Sequence, residues 1–373
     1  MAENLLATWE RGPMYHGAST GWSTAATGAG ALEQIRETSG FIPYGSVRPV
    51  IPAVMGSGLP FPNLAEVQFG VQGVNFSTNV PATSTTLRDF FCLIFNAQTN
   101  AHAGDLDTWG PLNAAYTAVT WVTRARSFST IGVNLSADAT ASSAYFVDTA
   151  FPNSLTLNIP NNTPGSDGGF VNMDINWLGN IAARTTTVEA GTGASASTTD
   201  TAAFYRTQDC SFEMGITGSD YQAYKMVSAS ITFSNQGVLS PETTASGESI
   251  GVVLGPPTVS GTVTMIASIE NSAGITTGPL DLVLDRYDST TRTQAAKGML
   301  FKFIVSAGAI FEARIPVAFA TPPTYTDVGG IQHVTIPFIY AGGAALAVIS
   351  ALEVDTYGGV GAGLSPYYID GGT

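Results

Sequence analysis

Few side chains in this 373-residue chain are suited to catalysis or metal binding: three histidines, two cysteines and a set of scattered carboxylates. His16, His102 and His333 lie far apart, and none belongs to an HExxH, an HxH or a Cys/His cluster, the spacings that put two ligands on one face. His16 falls in a predicted N-terminal arm, His102 in a loop and His333 at the start of a strand. Cys92 sits inside the apolar run RDFFCLIF and reads as an inert buried thiol. Cys210 lies in TQDCSFEM, and no CxxC accompanies it, so neither a zinc site nor a disulfide framework is expected. Asp281, Asp285 and Asp288 recur at i, i+4 and i+7, one face of a predicted helix. A solvated helix face accounts for them; a carboxylate pair for glycoside hydrolysis is the sharper reading. Glu353 and Asp355 form a second acidic pair. DRYDSTTRT lacks the pattern of a calcium loop. Composition leaves a Ser/His/Asp triad open, but no GxSxG stands between a strand and a helix. With no phosphate loop or dinucleotide fingerprint either, the expectation is no enzyme, no metal and no cofactor.

Such residues need a scaffold, and the composition describes its kind. Apolar residues are 44% and charged residues only 11% of the chain, against a usual ~25% charged. Ser, Thr, Gly, Ala and Asn make up the difference. A polar, uncharged surface suits faces buried against other subunits, or a loop-rich β protein. The net charge is −14, from 14 basic and 28 acidic residues, with no basic run. Gripping phosphates takes clustered Lys and Arg, so a nucleic-acid-binding module is not expected. An acidic protein still suits a place near DNA when its task is not to stick. MAENLLATWERGPMY has no secretory h-region. The apolar run Ala341–Leu352 contains glycines and is too short to span a bilayer. Sequons at Asn75, Asn134 and Asn161 are then chance matches, and the chain is expected in, or assembled in, a cytoplasm.

Along the chain, residues 1–60 read as an extended arm, laid across a neighbouring subunit or over its own domain. A short helix is predicted near Ala29–Glu37, after which Pro43, Pro49, Pro52, Pro60 and Pro62 prevent helix. EVQFGVQGVNFS (66–77) alternates as a strand. A helix follows, with Ser84 or Thr85 as cap and Leu87, Phe90, Phe91, Ile94 and Phe95 on one apolar face. Residues 97–120 read as loop, Trp121–Ser136 as a strand pair, and Ala144–Val147, Ser154–Ile159 and Phe170–Trp177 as strands. Residues 183–203 are Thr/Ala/Ser/Gly-rich. They divide the chain into an arm (1–60), a β domain (61–185), a linker or mobile hairpin (186–204) and a second β domain (205–373).

The second domain repeats the first in outline. FGVQGVNF matches VSGTVTM, and Thr85–Thr86 matches Thr276–Thr277 at the same offset. LRDFFCLIF matches GPLDLVLDRY, SFSTIGVNL (127–135) matches MLFKFIVSA (299–307), and NMDINWLGN (172–180) matches HVTIPFIYAGG (333–343). Between them stands Lys225–Met265. Met226–Ser234 alternates imperfectly as a strand, Gln236–Gly247 is a Ser/Thr/Gly-rich surface loop, and Ile250–Met265 returns as strand. A loop of this length is costly to order unless it has a role.

ASITFSNQGVLSPETTASGES…VSGTVTM, then MLFKFIVSA, RIPVAF and IPFIYAGG, with FPNSLTL (Phe151–Leu157) in the first half, resemble the tail tube proteins of long-tailed bacteriophages. The form resembled is the one with a duplicated tube domain, over roughly residues 60–355. The glycine expected ahead of the NSLTL hairpin is absent here. The resemblance implies a mainly β fold: two tandem β-sandwich or barrel domains, each with one short flanking helix. It implies a structural virion protein whose rings, trimeric or hexameric, stack into a conduit for genome ejection. Implied partners are other copies of the chain, a tape-measure protein, terminator and tip proteins, and double-stranded DNA passing without specific binding; no membrane is involved. The implied location is the virion tail, assembled in the host cytoplasm. An acidic wall is expected to repel the DNA. The loop would clasp the next ring, through Val238, Leu239, Glu242, Glu248, Val252 and Val253. A capsid, decoration or fibre protein shares the composition, and a β-rich glycan hydrolase is the enzymatic alternative.

Overall fold

The computed structural model describes residues 14–19, 21–35, 49–50, 68–69, 73–95, 106–109, 128–134, 144–161, 169–180, 182–199, 202–215, 222–244, 247–255, 258–267, 287–288, 293–294, 297–306, 309–319, 321–340 and 353–357. The protein is mainly β. β1 (Met14–Ser19), β2 (Gly28–Ile35), β3 (Pro49–Val50), β4 (Gln68–Phe69) and β5 (Val74–Pro81) lead into helix α1 (Ser84–Phe95). β6 (Leu106–Trp109), β7 (Phe128–Asn134), β8 (Ala144–Ile159), β9 (Asn172–Gly179) and β10 (Ala182–Thr185) follow, then α2 (Val188–Thr192) and β11 (Ala194–Thr199). Next come β12 (Cys210–Gly215), β13 (Gln222–Tyr224), β14 (Met226–Ser234), β15 (Val238–Leu239), β16 (Val252–Val253) and β17 (Thr258–Ile266). The last are β18 (Tyr287–Asp288), β19 (Thr293–Gln294), β20 (Lys297–Ser306), β21 (Ala309–Ala318), β22 (Thr324–Val328), β23 (Ile331–Tyr340) and β24 (Glu353–Tyr357).

Seven of these strands lie side by side, each antiparallel to the next, in the order β5–β9–β8–β14–β17–β23–β22. Alternation sends one set of side chains inward. Phe76, Ile175, Trp177, Leu157, Ile231, Phe233, Val263, Ile336 and Phe338 are all buried. Helix α1 covers part of this face, with Leu87, Phe90, Phe91 and Ile94 buried as its periodicity predicts. Phe90 meets the edge of Trp177 at 5.8 Å and Phe91 meets Phe233 at 5.1 Å, so the helix grips strands from both halves of the chain. Each such aromatic pair adds roughly 0.5–1.5 kcal/mol beyond its area. The Trp177 indole N–H donates to Thr78 Oγ1 at 2.9 Å, which satisfies the one polar group of that side chain.

The two halves share a strand path. β1, β7, β8, β9 and β5 are successive neighbours, with β2 beside β1 and β10 beside β8. β12, β20, β21, β23 and β17 are successive neighbours too, with β13 beside β12 and β24 beside β21. The long β8 corresponds to β21 and β22 together, both of which flank β23. Pro322 and Pro323 separate them, since proline cannot donate to a ladder. The halves are stitched by β14 on β8 and by β6 on β24.

Several local expectations change. Residues 14–19 and 28–35, expected in an arm, are strands of the main sheet. The helix expected near Ala29–Glu37 is β2. Gly28 and Gly30 take φ of +104° and +73°, closed to a right-handed helix, and β1 and β11 pair with the strand from either side. The span 186–204, read as linker or mobile hairpin, holds α2 and β11, which runs parallel to β2. Its small residues allow close packing: a Cβ on Gly191 would lie 2.5 Å from the Phe146 ring. The two strands expected within 144–159 are one, with a register shift at Pro152–Ser154 where the proline is accommodated. Phe128–Asn134 is a strand, and the rest of the pair expected over Trp121–Ser136 lies outside the described residues. The imperfect alternation of β14 has a cause: a bulge between Met226 and Ser228 shifts Met226 out of phase with Ala229, Ile231 and Phe233.

Candidate functional site

The seven-strand sheet turns its second face away from the core; from β5 to β17 this face is mostly hydroxyls and amides, and at the β23–β22 end it also exposes Val328, Ile331 and Ile339. Register sets the residues in rows across the strands. Asn79, Asp174, Thr156, Thr232, Ser260 and Ile339 form one row. Ser77, Asn176, Ser154, Ser234 and Thr258 form the next. Pro81, Asn172, Asn158, Ser230, Thr262 and Pro337 form the one on the other side. Cross-strand hydrogen bonds run within the rows: Thr156 to Thr232 at 2.9 Å, Ser230 to Asn158 at 3.2 Å and Asn176 to Ser154 at 2.9 Å; a further row, with Ser228, Thr264 and Thr335, has Thr264 bonded to Thr335 at 2.8 Å. These rows hold one carboxylate, Asp174, and no lysine or arginine. Asn79 and Asn158 both donate amide N–H groups to Asp174, the latter at 2.5 Å, so its charge is held by dipoles. Such a face offers many weak, interchangeable hydrogen bonds and no fixed cation for a phosphate.

One edge of this sheet is exposed. All five residues of β22 are solvent-exposed, and among the described residues β22 pairs with β23 alone. Gly329 and Gly330 close the β22–β23 turn at φ of +65° and +82°, the two left-handed positions a two-residue hairpin requires. In the first half the matching edge, Ser154–Ile159 of β8, is occupied by β14.

The loop after β14 folds into a short hairpin. Val238 stands opposite Val253 and Leu239 opposite Val252, so four of the six loop candidates form the β15–β16 ladder. The Ile250 N–H donates to the Glu242 carbonyl at 3.1 Å, and the Thr244 N–H to the Glu248 carbonyl at 2.8 Å, which places the other two nearer the tip. The hairpin is fixed to the first half at its base and, through Trp22, also nearer its tip. Asn235 Nδ2 donates to the carbonyls of Ile94 and Pro152, the Gly237 N–H to Asn153 Oδ1 at 2.6 Å, and the Trp22 indole to the Ser249 carbonyl at 2.6 Å. Leu239 packs where a side chain on Gly73 would otherwise stand. Val238, Ile250 and Val253 remain exposed. Burial, and then the charge of Glu248, raise the carboxyl pKa of Asp148 on β8.

The remaining candidates do not converge. Cys92 is buried, as expected, and the burial of Cys210 pushes its thiol pKa up, away from nucleophilic use. His333 lies in β23 opposite Ile266 and Thr326. Asp288 sits in the strand β18, not on a helix; Asp281, Asp285 and His102 lie outside the described residues. Glu353 and Asp355 occupy β24 opposite Arg314 and Glu312 of β21. His16 lies in the buried strand β1 beside Glu33 and Asp89, a grouping of residues far apart in sequence that no spacing rule reveals. The polar face was also missed as a unit, although the Ser/Thr/Asn alternation of each strand is its signal.

No family model matches the chain, and no curated protein matches it.

Proposed function

We propose that this chain is the tube subunit of a bacteriophage tail, a structural virion protein that polymerises into stacked rings around a DNA conduit. The observation that carries the reading is the sheet shared by both halves, with its hydroxyl and amide face that holds no Lys or Arg in its rows, and its exposed edge at β22. Within the chain, β14 of the second half docks on β8 of the first. The same step repeated between copies puts a strand from the first half of the next chain on β22, the topological counterpart of that part of β8. A head-to-tail contact of this kind generates closed rings when the rotation closes. It also removes the sheet edge that would otherwise invite aggregation.

The shared polar face then lines the lumen. Its rows carry one carboxylate, Asp174, and no cation, a sparse form of the acidic wall expected from net charge. A surface without Lys or Arg releases no counterions from DNA and so gains no phosphate affinity. Hydroxyls and amides stay hydrated and give the duplex no strong stopping point. The β15–β16 hairpin, with Val238, Ile250 and Val253 outward, supplies an apolar contact for the neighbouring ring. Tape-measure, terminator and tip proteins are the further partners, and the virion tail is the location.

Electron microscopy of the purified protein tests this directly. Rings or hollow tubes are expected, and rotational averaging then distinguishes a trimer of two-domain subunits from a hexamer. Monomers at every concentration and salt would overturn the reading, and closed shells or fibres would assign the chain to another class of virion protein.

A further inference from the structure

We infer that His16, Glu33 and Asp89 form a binding site for a divalent transition metal, best matched by zinc, that ties the β1–β2 hairpin to helix α1. His16 and Glu33 stand opposite one another on adjacent antiparallel strands, and Asp89 comes from α1. One ligand atom from each side chain lies within 4.8 Å of the other two, the one such grouping among the described residues. His16 Nε2 is 3.5 Å from Glu33 Oε2 and 3.9 Å from Asp89 Oδ2.

These distances fit a shared ion better than direct bonds. An imidazolium bonded to a carboxylate draws it to about 2.7–2.9 Å. Ligands on a tetrahedral zinc, at about 2.0–2.2 Å from the metal, stand roughly 3.3 Å from each other. An independent observation points the same way. Asp89 is fully buried, and its Oδ2 accepts no hydrogen bond although it faces His16. Its other oxygen is held by Arg88, through Nε and a terminal nitrogen, each at 2.9 Å. The guanidinium thereby fixes the carboxylate's orientation and leaves Oδ2 to the site, the role an outer partner plays around a metal ligand. One nitrogen and two carboxylate oxygens suit zinc, with water in the fourth position. Glu33 is 18% exposed, which gives the ion and that water a way in.

Metal analysis of the full-length protein, dialysed against zinc and then against buffer, tests the site. One zinc per chain is expected, with a rise in thermal midpoint that a chelator reverses. Cobalt(II) in place of zinc is expected to give the visible absorption of a tetrahedral site. Glu33→Gln, at the partly exposed ligand, keeps shape and tests the site even if Asp89→Asn fails to fold. It is expected to weaken zinc binding by at least about tenfold. Absence of bound zinc and of the cobalt band would overturn the proposal. So would zinc bound equally well by Glu33→Gln, which would mark adventitious surface binding. Stabilisation by acid with no response to metal would instead assign the pocket to a protonated His16.

Discussion

Thr83 shows how a single residue sets a boundary. Its Oγ1 accepts the Thr86 N–H at 3.1 Å, and the Thr83 N–H donates to Thr86 Oγ1 at 2.9 Å, a reciprocal cap at the start of α1. The expected caps were Ser84 or Thr85. In ATSTTL every one of these side chains is competent, so composition locates the helix start to within a residue or two and the backbone selects the cap. Thr83→Ala is expected to cost about 1 kcal/mol, measured by chemical denaturation. Gly261 is a second case. A Cβ there would overlap the Ser230 carbonyl oxygen and lie 2.7 Å from the Phe338 ring, so its absence is a condition for β14, β17 and β23 to pack. The sequence marked this glycine as part of a repeat, and the structure supplies its steric reason. His16 is the opposite case. Its partners are contributed by β2 and α1, and nothing within its own strand announces them.

Among the elements, α1 was legible because a twelve-residue helix carries several turns of apolar period. β2, β10, β11 and α2 were not, because short segments rich in Ala, Gly, Ser and Thr carry no decisive pattern. Their state follows from the neighbours that satisfy their backbones. The loop after β14 was located by its turn-rich composition, but its hairpin pairing and its anchors on Asn153, Ile94 and Trp22 are tertiary. For the proposed assembly, β22 has the most direct consequence. Tyr325→Lys places a charge on this exposed edge, the device by which edge strands resist pairing. The variant is expected to keep the stability of the isolated chain within about 1 kcal/mol, since it alters an exposed side chain. It is expected to abolish rings and tubes in electron micrographs. Unaltered polymerisation would move the subunit contact elsewhere.

At the scale of the whole molecule, one sheet crosses both halves, with β14 of the second paired to β8 of the first. The lumen reading makes a charge test possible. Thr232→Lys sets a cation near the middle of the hydroxyl rows, beside Thr156. The unmodified protein is expected to leave duplex DNA unretarded in a mobility assay, and the variant to retard it at low salt only. Each phosphate neutralised by the new lysines should steepen the logarithmic salt dependence by about 0.9. Retardation by the unmodified protein at physiological salt would contradict a non-stick wall. The sequence by itself determined the β class, the main helix, the strand alternation of each half and the absence of catalytic spacing, because these rest on local periodicity and on residue types. Only the tertiary structure decided that the hydroxyl strands of both halves form one face, that β8 is matched by β21 with β22, and that His16 meets Glu33 and Asp89. Those facts depend on register and on pairing between residues distant in sequence, where the free energy belongs to the contact and not to either segment alone.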